Sequence, residues 1–521
     1  MSINFKEGIT VEVGIVGAGP GGLVAGVLLA KDGFDVTIYE KESQVGGRNG
    51  AIETEKYSFD IGPTFFMMPF ILEEVFSECD RKLEDYVDVE LLDPYYKLVF
   101  GDGQELKPSQ DWEAVKESLS QIDKTAPAGF DSYIADNNRK IEKVLPVLQK
   151  GYNSWTDLFS AEIFNVLPIM RPFTSLWDDL GKHFNNDKLK IAFTFQSKYL
   201  GMSPHNCPSI FSILSFTEYK WGVYHVKGGL NKLSKALAEV FEELGGNLEL
   251  ETEVKEILIE ENTAKGVKLK DDRVENYDQL IMNSDFAWSM KNLIPAEKRS
   301  KYSNQNLEQK KYSCSTFMMY FGLDKLYQNL EHHNLFIADD YERNFREIET
   351  EKVLSEDPSF YVQNPSLTDE TLAPKGHSTL YVLVPVPNLK ADIDWEEAKD
   401  DFRDLMMDKL EEKAGLENLA EHIEYEKIMT PLDWREEKQV GYGACFNLAH
   451  NLKQMLIFRP HNKFESFNNM WLVGGGTNPG SGLPTIYESG RIAAQGISEQ
   501  YGAGSSLEHN SGLENSDIIE G

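Results

Sequence analysis

Two strand, glycine-turn and helix units at opposite ends of the 521-residue chain, with long apolar strands between them, predict an α/β and α+β protein. The expected architecture is a parallel sheet between helices, carrying an inserted region of mixed sheet and helices. The first unit runs from the apolar strand Val13–Val16 through Gly17-Ala18-Gly19-Pro20-Gly21-Gly22 into an apolar helix ending at Lys31, and then into a second strand ending at Glu40. The second runs from Met470-Trp471-Leu472-Val473 through a turn from Gly474 to Pro484 into a helix over about Thr485–Tyr501.

The first turn carries a physical logic residue by residue. Gly17 permits the sharp exit from the strand, Gly19 lets backbone approach a pyrophosphate, and Gly22 lets helix and strand pack closely. Pro20 and Gly21 complete the loop, so phosphates would meet free N–H groups at the positive end of a helix. Gly33 supplies a left-handed cap, and the next strand delivers Glu40, followed by Lys41. A carboxylate there accepts ribose hydroxyls and repels a 2′-phosphate, which argues against NADP. Strand before, helix after and an acid about 20 residues on make this a Rossmann-like dinucleotide site. Just beyond lie Gly46-Gly47-Arg48, where glycines allow close approach and the Arg48 guanidinium suits a forked contact with the pyrophosphate.

Composition bounds the rest. A hydrophobic share of 41% over this length suits two or three domains with real cores. The 85 acidic residues outnumber 52 basic ones for a net charge of −33, which argues against nucleic acid as a partner and against broad electrostatic adhesion to anionic lipid. Cys79, Cys207, Cys314 and Cys445 are far apart, show no metal-ligand spacing, and accompany no secretory leader in residues 1–10, so a reducing cytoplasm is expected and no metal. The uncharged run 13–30 is broken by glycines and reads as strand, turn and helix, not as a membrane span.

Segments 11–105, 222–300 and 440–502 are expected to build the nucleotide-binding domain. A helical region over 106–221 is crowded with aromatics, Tyr152, Trp155, Phe159, Phe164, Phe173 and Trp177 among them, suited to a core, an oily tunnel or a membrane-facing surface. Region 301–439 should hold a second sheet, with the strand Thr316–Phe321 partnered by Ser378–Pro385. Over Trp395–Lys413, Phe402, Leu405, Met406 and Leu410 recur at helical spacing under a charged face. Residues 503–521 read as a disordered tail.

With both ends read, the chain resembles the bacterial-type carotenoid (phytoene) desaturases of the amine-oxidase-like flavoprotein superfamily. The resemblance rests on Val13 to Arg48, Asp60-Ile61-Gly62-Pro63-Thr64, Tyr199 to Pro204, Val226 to Gly229, the strand near Cys314, Asp357 to Tyr361, and the C-terminal block Val473 to Ala494. It implies that Gly17, Gly19, Pro20, Gly21, Gly22, Glu40, Lys41, Gly47 and Arg48 hold the ADP half of FAD, with Val254 lending backbone to adenine. Gly62, Pro63 and Thr64 would lie beside the isoalloxazine. Gly475, Gly476, Leu483, Pro484, Thr485 and Ile486 would present N–H groups and a helix N-terminus to the pyrimidine edge, where negative charge develops as the ring accepts hydride. Two departures stand out: many relatives show His at the position of Asn478, and amine oxidases place an acid where this chain has Thr477.

The resemblance also implies a long isoprenoid hydrocarbon substrate, phytoene by preference, dehydrogenated across carbon–carbon bonds with oxygen or a quinone as final acceptor. Such a substrate offers only apolar surface, worth about 0.8 kcal/mol per buried methylene. Peripheral membrane contact through the aromatic segment is expected because the substrate resides in bilayers. The catalytic base is left unassigned: His183, His205, His225, His332, His333 and His377 have the chemistry, while the adjacent pair His332-His333 on a strand is expected to point to opposite faces. The alternatives are a diapophytoene (C30) desaturase, a later-step 3,4-desaturase, a carotenoid isomerase or amine oxidase, and a non-enzymatic escort of prenylated proteins.

Overall fold

A computed structural model describes residues 10–171 and 173–503. The tail read as disordered lies, from residue 504 on, outside the described residues, as do residues 1–9.

The first layer is a five-stranded parallel sheet ordered Met470–Leu472, Gln279–Met282, Glu12–Val16, Asp35–Tyr39 and Asn247–Glu249. In register, Val13 lies between Val36 and Gln279, and Leu280 pairs with Met470, so strands from both ends of the chain meet in one sheet. Its strands are near-continuous apolar runs, as a parallel sheet covered on both faces requires. The helix Pro20–Lys31 is apolar all round, and Pro20 through Ala30 are all buried. It packs against the C-terminal helix Leu483–Gln500 through glycine: a Cβ at Gly490 would sit 2.4 Å from the Gly21 carbonyl oxygen, and one at Gly21 would sit 2.6 Å from Val473 Cγ1. A three-stranded antiparallel sheet over Val254–Glu260, Thr263–Leu269 and Val274–Asn276 lies beside this layer.

The second layer is a seven-stranded sheet ordered Ile423–Met429, Ser315–Leu323, Ser378–Val386, Phe360–Gln363, His333–Phe336, Lys97–Val99 and Glu105–Leu106. The expected pairing of the two long strands holds, antiparallel, with Tyr320 opposite Tyr381. Two short strands of this sheet come from residues 97–106, a stretch read from the sequence as irregular and grouped with the nucleotide-binding segments; three and two residues are too short to show a period. Alternation sorts the sheet into two faces. Phe317, Met319, Phe321, Val382 and Val362 face Trp395, Phe402, Met406 and Leu410 of the helix Trp395–Glu412. Met318, Tyr320, Tyr381, Tyr361 and Leu335 face inward, in one apolar cluster with Phe130, Phe195 and Phe216 of the helical region.

Candidate active site

The glycine turn after Val16 is built as the sequence requires. Gly17 has φ +99°, its N–H donates to the Tyr39 carbonyl at 2.8 Å, and a Cβ at Gly22 would sit 2.5 Å from the Gly17 carbonyl oxygen. Gly19 caps the helix without any side-chain hydrogen bond, and Gly482 does the same for the C-terminal helix. Both helices therefore present uncapped first-turn N–H groups, the arrangement that receives an anion.

Glu40 is buried at the end of the second strand, where its Oε2 accepts from the Ala18 N–H at 2.9 Å and its Oε1 from the Glu42 N–H at 3.0 Å. Burial raises its pKa, and those two N–H groups oppose the rise. A carboxylate has about four acceptor sites, so two remain for sugar hydroxyls. The Glu40 N–H donates to Glu249 O and the Thr252 N–H to Glu40 O, which brings the stretch leading to Val254 alongside. The Lys41 ammonium turns elsewhere, onto the Glu42 carboxylate and the Glu437 carbonyl oxygen.

Gly46 and Gly47 both adopt positive φ, and the Gly46 N–H donates to Ala18 O, so the Gly-Gly-Arg segment folds onto the first turn. Arg48 Nη1 lies 3.2 Å from Asp285 Oδ2. Asp285 is a junction that sequence reasoning missed: the same oxygen accepts from Asn447 Nδ2 at 3.2 Å, and Oδ1 accepts from the N–H groups of Trp288 and Gly441. Asn447 Oδ1 would in turn lie 2.7 Å from a Cβ at Gly476. N-terminal Arg48 and the C-terminal glycine turn are thus joined through two side chains. Asn283, at the carboxyl end of its strand, donates to Gly17 O at 2.8 Å and to Gly19 O at 3.3 Å. The signal for both residues was their place in Asn283-Ser284-Asp285, just past a parallel strand, where such sheets bind ligands.

The C-terminal turn is held from beneath by Arg459, fully buried, whose Nη2 donates to Gly475 O at 2.6 Å and whose Nε donates to Thr477 O at 2.8 Å. Burial brings this guanidinium down to about 9. Asn478 is buried and its amide donates to Leu456 O at 3.1 Å, so its side chain braces the turn. Thr485 Oγ1 closes the helix start on Gly482 O, Leu483 is buried, and a Cβ at Gly21 would lie 3.0 Å from Ile486 O.

Residues 60–64 form the third wall. Asp60 accepts at the N-terminus of the helix Asn231–Glu243, and burial pushes its carboxyl up to about 6 against the N–H groups of Leu230 and Asn231. A Cβ at Gly62 would meet the Arg48 carbonyl oxygen at 2.5 Å. Three tyrosines from adjacent strands reach this segment: Tyr320 donates to Ile61 O, Tyr381 donates to Gly62 O, and Tyr361 bonds the Thr64 hydroxyl at 2.8 Å.

The candidate histidines divide. His183, His205 and His377 pair with Ser132, Glu342 and Tyr57. His225 Nε2 lies 2.9 Å from Asp369 Oδ2. The rings of His332 and His333 do not part to opposite faces: His332 precedes the strand, and the two rings lie edge to face 4.4 Å apart. Among the described residues no helix is long and apolar enough to cross a membrane, and no group of three or more His, Cys, Asp or Glu is gathered to hold a metal.

This geometry is matched elsewhere. The family described as flavin containing amine oxidoreductase matches residues 20–498. The chain belongs to that family. It is 44% identical to a 4,4′-diapophytoene desaturase (4,4′-diapolycopene-forming) of Methylomonas sp, over 94% of this chain and 96% of that one. It is 38% identical to an all-trans-zeta-carotene desaturase of Myxococcus xanthus, over 96% of each. An oxidoreductase of Methanosarcina mazei shares the fold with a TM-score of 0.56 at 17% identity, covering 94% of this chain and 100% of that one. The chain thus stands with the bacterial carotenoid desaturases of this flavoprotein family, as an oxidoreductase whose cofactor is FAD.

Proposed function

We propose that the protein is an FAD-dependent carotenoid desaturase that removes pairs of hydrogens from an acyclic polyisoprene at a membrane surface. The observation that carries this reading is the meeting of two uncapped glycine turns beside an apolar interior. Gly17, Gly19, Pro20, Gly21, Gly22, Gly47 and Arg48 fit a pyrophosphate, and Glu40, with Lys41 and Val254 nearby, fits the adenosine half. Gly62, Pro63 and Thr64 fit the ring, with Gly475, Gly476 and Leu483 to Ile486 at its pyrimidine edge. FAD, when bound, supplies the hydride acceptor. The chain's own share is to exclude water around a hydrocarbon through the apolar cluster that joins the sheet's inner face to the helical region.

Phytoene is the substrate favoured by the sequence resemblance, and the 44% identity to a protein named for diapophytoene favours the thirty-carbon alternative. Expression in cells that accumulate either compound, followed by pigment absorption, tests both. Long-wavelength pigment from one precursor identifies the substrate, and none from either contradicts the reading.

Peripheral attachment on the cytoplasmic side is proposed from a surface patch. Trp155, Phe159, Phe164 and Phe173 are 63%, 73%, 57% and 97% exposed, in the segment where sequence placed the aromatics; exposed Leu167 shares a helix with Phe164, and exposed Phe458 meets the Trp155 ring at 5.5 Å. Such a cluster is the mark of a membrane or protein contact. Final electrons pass to oxygen or a membrane quinone, and turnover without oxygen on added quinone separates the two.

A further inference from the structure

Segment 60–64 is fixed by an unusual number of side chains, and one of the contacts has a directed end. Tyr320, Tyr381 and Tyr361 stand on the same inner face of neighbouring strands and take Ile61 O, Gly62 O and the Thr64 hydroxyl. The first two tyrosines can only donate, because their partners are carbonyl oxygens. Tyr361 differs, since its oxygen also lies 2.7 Å from Nδ1 of His333, a fully buried ring stacked on Phe65 at 4.2 Å. His333 Nε2 has no hydrogen-bond partner among the described residues.

Burial holds His333 well below its ordinary pKa, so the ring is neutral and carries one proton on one nitrogen. A proton on Nε2 would meet no acceptor among the described residues, whereas a proton on Nδ1 reaches the Tyr361 oxygen at 2.7 Å. With Nδ1–H donating to the Tyr361 oxygen, the Tyr361 proton is available to Thr64 Oγ1, 2.8 Å away. The Thr64 proton is then free to point away from the chain of bonds.

We propose that His333 and Tyr361 are positioning residues that orient the Thr64 hydroxyl as a hydrogen-bond donor toward the flavin ring. This rests on the reading, given above, that residues 62–64 line that ring. A donor aimed at an acceptor that gains negative charge on reduction favours the reduced form, so the arrangement raises the flavin midpoint potential.

The test is reductive titration of the FAD-loaded protein with a reference dye, comparing Thr64→Val, Thr64→Ser, Tyr361→Phe and the double variant Thr64→Val/Tyr361→Phe. The expected result is a lower midpoint potential in Thr64→Val and Tyr361→Phe, the wild-type value in Thr64→Ser, and no further fall in the double variant. The first and third changes preserve shape, and the flavin absorption spectrum confirms that each variant still holds its cofactor. The proposal is overturned if Tyr361→Phe leaves the potential unchanged, if Thr64→Val does so, or if the two shifts add. Wild-type protein that fails to bind FAD at all would instead overturn the flavin reading on which the proposal stands.

Discussion

At the scale of single residues, the legible part of the site is the part written in glycine. Gly17 takes a positive φ and Gly22 makes room for the Gly17 carbonyl oxygen, demands set within a few residues, so a short motif suffices to find them. Changing Gly22 to Ala places a methyl group 2.5 Å from a carbonyl oxygen, and it should lower stability by roughly 1–3 kcal/mol, read by chemical denaturation, and weaken FAD binding. Arg459 and Asn447 are different, because each is a lone polar residue whose partners are brought to it by other parts of the chain. No local pattern marks them. Glu218 is another such group: it is buried, bonded to Tyr96 and Gln196, and pushed by burial up to about 8 from an ordinary 4.5. A folded-state value above the unfolded one means that its contribution to stability is complete below about pH 4.5 and is lost as pH rises through about 8. Glu218→Gln should therefore gain stability relative to wild type between pH 5 and pH 9, by on the order of 1–3 kcal/mol at the upper end, measured by denaturant unfolding at each pH.

At the scale of elements, strands long enough to show alternation or a continuous apolar run were legible, as with Ser315–Leu323 and Ser378–Val386. The strands Lys97–Val99 and Glu105–Leu106 were not, since they exist only because the sheet edge is there to pair with. The same holds for His332, whose ring direction follows from its place just outside a strand. Between the N- and C-terminal helices, glycine permits an approach that no other residue allows. Gly490→Leu should separate the two helices, lowering stability by roughly 1–3 kcal/mol or more and releasing FAD, measured by unfolding and by flavin retention on a desalting column. On the helix Ala161–Met170 and its flanks, Phe159, Phe164 and Phe173 leave most of their surface exposed. Replacing Phe159, Phe164 and Phe173 together with Ser should abolish sedimentation with liposomes while moving stability by no more than about 0.5 kcal/mol per site.

At the scale of the whole molecule, a net charge of −33 and an apolar patch act in opposition at a lipid surface. Binding to neutral vesicles should be insensitive to salt. Binding to anionic vesicles should strengthen as salt rises, because screening over about 10 Å at 0.1 M weakens the repulsion and leaves apolar burial intact. Flotation of the protein with each vesicle type across a salt series checks this. The larger property is that the chain closes on itself: strands from residues 12–16 and 470–472 share one sheet, and turns from both ends meet through Asp285 and Asn447. The measurement that bears most directly on the account is FAD titration into wild-type protein and into Gly19→Val and Gly475→Val variants. One FAD per chain is expected in the wild type, with binding lost in both variants. Undiminished affinity after the change at Gly475 would contradict a cofactor held from both ends.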